Sequence, residues 1–405
     1  MPVILQINST ANIGSTGRIA EQIGEVVLRY KWDSYIAYGR SFQAGSSKLI
    51  KVGSKFSWIF HALMTRLTDK HGLYSRLATK RLIRKIEKIS PDIIHLHNIH
   101  GYYINYKKLF EYLKKIDATV VWTLHDCWAM TGHCVHFEYV KCNRWEVKCH
   151  TCPKKMSYPQ SLLFDNSRQN YIEKRELFTS VKNMTIVPVS NWLGGVVKKS
   201  FLRHCNIEVI QNGIDVNKFK PTQSDILVRY GILDSKIVLG VAGAFSRRKG
   251  FDDFLKLYEL LSQNRYQIVL IGLSKKQCKQ LPNRIIGLQR TGSVDELAQW
   301  YSVADVFVNP TYEDTYPTTN LEAISCGTPV VTYRTGGSPE SVTPQTGRVV
   351  EQGDIEGVAK AIESLCAEDR EHLRKRCREY AVAHFDKQEC FKKYIDLYAE
   401  IIQKR

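Results

Sequence analysis

Short apolar runs alternate with amphipathic helical stretches along this chain, and the whole alternation occurs twice. Val3–Ile7, Asp92–His97, Thr119–Leu124 and Thr185–Val189 read as buried strands of the first half. Lys236–Ala242, Tyr266–Ile271, Val303–Asn309 and Thr328–Thr332 read the same way in the second. Helical periodicity fills the gaps, as in Gly17–Tyr30 and Arg76–Ile89. Strands that are apolar on both faces and separated by helices belong in parallel sheets covered on both sides. The expected fold class is therefore α/β, with two doubly wound domains facing across a cleft. A length of 405 residues suits two such cores. The join is expected in Ile210–Pro221, where Asn-Gly, a proline and polar residues give linker chemistry. The expected division is one domain over 1–205, a second over 206–384, and a terminal helix over 385–405. Phe391, Tyr394, Ile395, Tyr398 and Ile402 stand at helical spacing in that last segment, which is expected to pack back on the first domain.

The formal net charge is +18, which points to an anionic partner. The excess is uneven: from Lys48 to Lys88, eleven basic residues stand against the two acids Asp69 and Glu87. The start, MPVILQINST, runs straight into a strand and lacks a signal-peptide pattern. No run of eighteen apolar residues occurs, so no bilayer span is expected and the chain is placed in the cytoplasm. Thiols stay reduced there. Of the eleven cysteines, Cys127, Cys134, Cys142, Cys149 and Cys152 crowd into one segment, read as an insertion over 127–158. The pattern H-C-x7-C-x6-C-H-x-C, from His133 to Cys152, offers Cys134, Cys142, Cys149 and Cys152 as four ligands of a structural zinc. The alternative is a set of thiols without metal.

In open parallel sheets, ligands bind beyond the carboxyl ends of the strands. Gly14 and Gly17 bracket a small polar loop after the first strand that opens a helix, where backbone amides suit an anionic group. Arg247-Arg248-Lys249-Gly250 follows the first strand of the second half, where basic side chains can clamp a diphosphate. The richest stretch is Asn309–Pro339. Asp314 and Glu322 stand seven residues apart around Pro317-Thr318-Thr319-Asn320, which reads as a helix start with the proline in its first turn. Carboxylates accept hydrogen bonds from sugar and ribose hydroxyls. A basic clamp, a helix tip and two such acids together describe a nucleotide-sugar site. His125 follows a strand and precedes Asp126, so it is expected at the cleft. His95 and His97 are taken as structural, with one of the two facing the core.

Here the chain resembles glycosyltransferase family 4, of the GT-B fold. The resemblance rests on the acid–seven–acid spacing Asp314–Glu322, NGID at Asn212–Asp215, RKG at Arg248–Gly250 and TGG at Thr335–Gly337. It rests also on HLH at His95–His97, TLHD at Thr123–Asp126 and the first glycine loop, all in family order. The likeness is strongest to transferases of capsule, colanic-acid and other exopolysaccharide assembly, which share TLHD followed by a Cys-rich stretch. It implies two Rossmann-like domains and a retaining transfer from a UDP- or GDP-sugar without a catalytic metal. Lys249, a neighbouring arginine and the amides of Thr318, Thr319 and Asn320 would neutralise the leaving diphosphate. Glu322 would hold the ribose, Asp314 the transferred sugar, and His125 the donor sugar or the reacting hydroxyl. The chain departs from the family at two positions: the first acid is Asp314 rather than Glu, and Ala244 stands where many members carry an arginine.

The expected acceptor is a glycan or a lipid-linked oligosaccharide, which places the protein at the inner face of the cell membrane. In Lys55–Arg66, the residues Phe56, Ile59, Phe60 and Leu63 form one apolar helical face inside the basic region, with Trp58 near its edge. Such a face either meets an anionic membrane surface or packs on its own core. A sugar-nucleotide epimerase would share the two-domain form. A nucleic-acid-binding protein would explain the charge, but no recognition motif supports it and nucleic acid is not an expected partner.

Overall fold

The computed structural model describes residues 1–262 and 265–404. The chain forms two compact units, Met1–Gln211 with Phe391–Arg405, and Asn212–Cys390. Each is built on one wholly parallel sheet.

The first unit contains β1 (Val3–Ala11), β2 (Asp33–Phe42), β3 (Lys48–Lys51), β4 (Ile93–Leu96), β5 (Val120–Leu124), β6 (Met184–Pro188) and β7 (Asn206–Ile207). Its helices are α1 (Gly14–Arg29), α2 (Lys55–Thr68), α3 (Arg76–Ile89), α4 (Tyr106–Lys115), α5 (Ser167–Phe178) and α6 (Asn191–Lys199). The sheet order is β3-β2-β1-β4-β5-β6-β7. Strands β4, β5 and β6 are buried along their whole length, as expected of runs apolar on both faces. The edge strands β3 and β7, and β2 beside β3, were not anticipated from sequence. DSYIAYGRSF mixes polar and apolar residues because its far end is exposed.

Two helices depart from simple amphipathic packing. Helix α1 begins at Gly14 itself, so the glycines lie within its first turns rather than in a loop ahead of it. A Cβ on Gly17 would stand 2.6 Å from Thr10 Oγ1, so this glycine lets α1 lie close on β1. Helix α2 is turned the other way round from a core helix. Its buried residues are His61 and Thr65, while Phe56 is 85% exposed, Ile59 56%, Phe60 55% and Leu63 53%. A capping box at Ser54 and Ser57 fixes its start. The apolar face is thus not packed on the unit's core.

The final helix, α14 (Lys387–Gln403), belongs to the first unit from Phe391 onward. The Tyr394 hydroxyl lies 2.8 Å from Thr123 Oγ1, and the Tyr398 hydroxyl 2.6 Å from His95 Nδ1. His95 and His97 are both buried, with ring centroids 4.0 Å apart. The expectation that only one faces the core is corrected: residues two apart on a strand share a face.

The second unit contains β8 (Lys236–Val241), β9 (Tyr266–Ile271), β10 (Ile285–Leu288), β11 (Val306–Asn309), β12 (Val330–Tyr333) and β13 (Gly347–Val350). Its helices are α7 (Ile226–Tyr230), α8 (Phe251–Leu260), α9 (Lys275–Gln280), α10 (Val294–Val303), α11 (Thr318–Ser325), α12 (Ile355–Ala367) and α13 (Arg370–His384). The order β10-β9-β8-β11-β12-β13 reverses direction between β8 and β11. Loops leaving neighbouring strands at such a reversal diverge to opposite faces and leave a crevice at their carboxyl ends. Residues 242–250 and 310–317 leave the sheet at that point.

Candidate active site

The basic triplet forms a single 3-10 turn, Arg247–Lys249, closed by Gly250. Gly250 has φ +71°, and a Cβ there would stand 2.3 Å from Pro310 O, so only glycine fits the turn against the loop after β11. The Tyr312 amide donates to Arg248 O at 2.8 Å and ties the two loops together. Across this junction Lys249 Nζ meets Asp314 Oδ2 at 2.6 Å and donates to Glu313 O at 3.2 Å. Asp314 is itself oriented: its Oδ1 accepts from the Tyr316 amide at 3.2 Å, and its carbonyl accepts from the Gly337 amide at 3.2 Å. The RKG, acid–seven–acid and TGG segments therefore meet at the reversal of the second sheet.

The other arginines of the turn are not drawn to that contact in the same way. Arg247 Nε pairs with Asp252 at 3.3 Å on the exposed start of α8. The Arg248 side chain is exposed, and Ala244 is exposed as well.

Helix α11 starts at Thr318, with Pro317 as the residue before it and no side chain capping its first amides. The expected place of the proline in the first turn is corrected by one position. The Asn320 amide already donates to Pro317 O at 3.2 Å, which leaves Thr318 and Thr319 as the expected anion-binding amides. The Asn320 side chain is committed inward. It accepts from Asn309 Nδ2 at 2.8 Å and donates to the Ser338 and Ser341 hydroxyls at 3.1 and 3.0 Å. This network locks the tip of α11 to β11 and to the turn after TGG. Glu322, one turn further, is only 5% exposed and accepts from the Tyr301 hydroxyl of α10 at 3.1 Å. A carboxylate this buried is kept where hydrogen bonds satisfy it. Tyr301, Ser338 and Ser341 carry no motif of their own, and sequence reading missed them.

In the first unit, His125 follows β5. Its Nε2 lies 3.0 Å from His97 Nδ1, and the two rings stack at 5.3 Å. Burial depresses the pKa of His125 to about 4, against an opposing pull from Asp126, so the ring is neutral at pH 7. Asp126 is paired with His100 at 2.8 Å. Burial pushes its carboxyl up, but the His100 pair outweighs this and holds it at about 2. Gln6, a polar residue inside an apolar strand run, sits behind His97; that break in pattern was its sequence signal. Gly14 and Gly17 lie in this unit, with open space around Gly14.

Cys134, Cys142, Cys149 and Cys152 line one cavity together with His133 and His150. Cys134 and Cys152 share a hydrogen bond, and Cys149 Sγ accepts from the Gly132 amide at 3.3 Å. Among the described residues, no three His, Cys, Asp or Glu side chains are grouped as ligands of one ion. The four thiols share this one cavity. Behind them Lys174 is buried, donating to Trp128 O and Thr131 O at 2.8 and 2.9 Å and lying 3.5 Å from the centroid of the Trp128 ring.

Residues 57–218 match the family model "Glycosyltransferase Family 4", and residues 236–368 match "Glycosyl transferases group 1". WcaC of Escherichia coli (strain K12), named as a colanic acid biosynthesis glycosyl transferase, is 28% identical over 188 residues. That match spans 43% of this chain and 45% of WcaC, so the chain aligns with less than half the length of this relative. The fold is shared with a sucrose-phosphate synthase from Thermosynechococcus elongatus at a TM-score of 0.74 and 17% identity, over 100% of both chains. It is shared also with Anabaena Alr3699/HepE, solved in complex with UDP and glucose, at a TM-score of 0.66 and 15% identity, over 98% of this chain and 100% of that one.

Proposed function

The chain belongs to the glycosyltransferases, with a Family 4 segment ahead of a group 1 segment on two GT-B-type domains, and we propose that it moves a sugar from a nucleoside diphosphate to a growing cell-surface glycan with retention of anomeric configuration. The observation that carries this reading is the 2.6 Å contact between Lys249 and Asp314 at the sheet reversal. It joins a cation suited to a diphosphate to an acid suited to sugar hydroxyls. A lysine ammonium has three N–H donors. Asp314 and Glu313 O engage two, and we assign the third to a phosphate oxygen of the donor. The Thr318 and Thr319 amides at the positive end of α11 add to the same anion-binding surface. Glu322 accepts from the ribose hydroxyls, and Asp314 from the hexose.

In the step itself, the bond from the anomeric carbon to the diphosphate oxygen breaks. A bond forms from that carbon to the acceptor oxygen on the same face. The acceptor's proton passes to the departing phosphate oxygen, so a nucleoside diphosphate and a glycoside result. Lys249 and the amides stabilise the negative charge that grows on the leaving group. The likeness to a structure solved with UDP supports a UDP-sugar donor, and the WcaC likeness supports exopolysaccharide assembly.

A lipid-linked acceptor stays in the bilayer, so the protein works at the cytoplasmic membrane surface. The outward apolar face of α2 supports this. So does the loop Leu162–Phe164, whose three apolar side chains are exposed and whose Leu162 amide donates to Arg66 O at 2.7 Å at the end of α2. The segment Lys48–Lys88, which contains α2, is strongly basic. No helix among the described residues is long and apolar enough to cross a membrane. Thermal shift with UDP, GDP, dTDP and their sugars tests the donor reading. At least one nucleotide sugar is expected to raise Tm, and the rise should be lost in Lys249→Ala. Melting unchanged by every nucleotide and nucleotide sugar would overturn it.

A further inference from the structure

Gln6 sits in the middle of β1, fully buried. Its Nε2 donates to Ala20 O of α1 at 2.8 Å, which fixes the amide orientation, because a flipped amide would set two oxygens against each other. Gln6 Oε1 therefore faces His97 Nε2, at 2.9 Å. An amide oxygen only accepts, so the hydrogen of His97 must lie on Nε2. Burial holds both His97 and His125 neutral at pH 7. A neutral imidazole has one donor and one acceptor nitrogen. His97 Nδ1 is then the acceptor, and the group 3.0 Å from it, His125 Nε2, is the donor. The reverse arrangement would leave a bare His97 Nε2 opposite an amide oxygen. Trp122 Nε1 donates to His97 O at 3.0 Å and holds that backbone in place.

We infer that Gln6 and His97 are positioning residues that set His125 as the tautomer with hydrogen on Nε2 and an acceptor lone pair on Nδ1, suited to a hydroxyl of the bound sugar. Their role rests on the reading that His125 contacts sugar. The relay specifies the direction of that contact: the hydroxyl donates and the imidazole accepts. A donor imidazole would instead suit a phosphate or carbonyl oxygen, so the tautomer selects the ligand group. Neither Gln6 nor His97 needs to touch substrate for this.

The test uses the full chain labelled with 15N-histidine and long-range proton–nitrogen NMR, in which protonated and bare ring nitrogens resonate in separate regions. His125→Ala identifies the His125 signals by their loss. In the unaltered protein, Nε2 is expected protonated and Nδ1 bare. Gln6→Met removes the acceptor, should mix the two tautomers, and should lower kcat/KM about tenfold. Hydrogen on His125 Nδ1 in the unaltered protein would overturn the inference, as would an unchanged tautomer in Gln6→Met. The predicted tautomer combined with full activity in His125→Ala would instead sink the sugar-contact reading and leave the relay standing.

Discussion

Lys249 and Asp314 are each about one-fifth exposed, so their ion pair adds on the order of 1 kcal/mol or less to folding. Their value should appear in turnover. Lys249→Ala is expected to lower kcat by about a hundredfold while moving Tm by no more than a few degrees, measured by steady-state kinetics beside calorimetry. A collapse of Tm equal in weight to the loss of rate would make the lysine a structural residue. Glu322 differs because it is buried. Glu322→Ala removes the carboxylate that accepts from the Tyr301 hydroxyl and should cost about 1–3 kcal/mol of stability as well as donor affinity. Glu322→Gln keeps an acceptor for Tyr301, and so should recover stability more than nucleotide affinity. Equal nucleotide affinity in all three proteins, by calorimetric titration, would remove Glu322 from the site. The acids, the basic turn and the histidine stand out in sequence because their spacing follows strand ends. Tyr301, Asn309 and Ser338 do not: each meets its partner only through the tertiary fold.

At the scale of elements, the fully buried strands were legible because apolar runs bounded by polar turns have few other uses. The edge strand β13 and the partly exposed β2 were not, since half-exposed strands dilute that signal. The α2 pattern was legible as a face, but which way it turned was decided by His61 and Thr65, whose burial no periodicity announced. The four cysteines were legible as a cluster, while their actual spacing depends on the turns between them. Phe56→Ser with Phe60→Ser should reduce co-sedimentation with vesicles containing anionic phospholipid, and high salt should reduce that of the unaltered protein. Equal recovery in the supernatant with and without anionic lipid, at both salt levels, would contradict the surface reading. The first unit also buries neutral histidines, with burial lowering His61 to about 3 and His125 to about 4. Their folded pKa values lie below the unfolded one, so the unfolded chain takes up protons first as pH falls. The stability they permit is present above about pH 6.5 and is lost between there and about pH 4, on the order of 3 kcal/mol or more. Acid titration followed by tryptophan fluorescence should therefore show early loss of the first unit, with Trp300 in the second unit, isolated by replacing the others, changing later. Simultaneous loss of both signals would contradict this.

For the whole molecule, the doubled strand–helix pattern, the parallel sheets and the family match agree on one kind of chemistry, while the choice of sugar and acceptor lies in side-chain contacts that spacing does not encode. Retention at the anomeric carbon, with the diphosphate leaving intact, is the claim on which the residue assignments depend. Its most direct test is proton NMR of the product made from an α-linked nucleotide sugar and a glycan acceptor, with the released nucleotide identified alongside. An α-linked glycoside and one nucleoside diphosphate per transfer are expected. A β-linked product, or a released monosaccharide epimer with no glycoside, would contradict that claim.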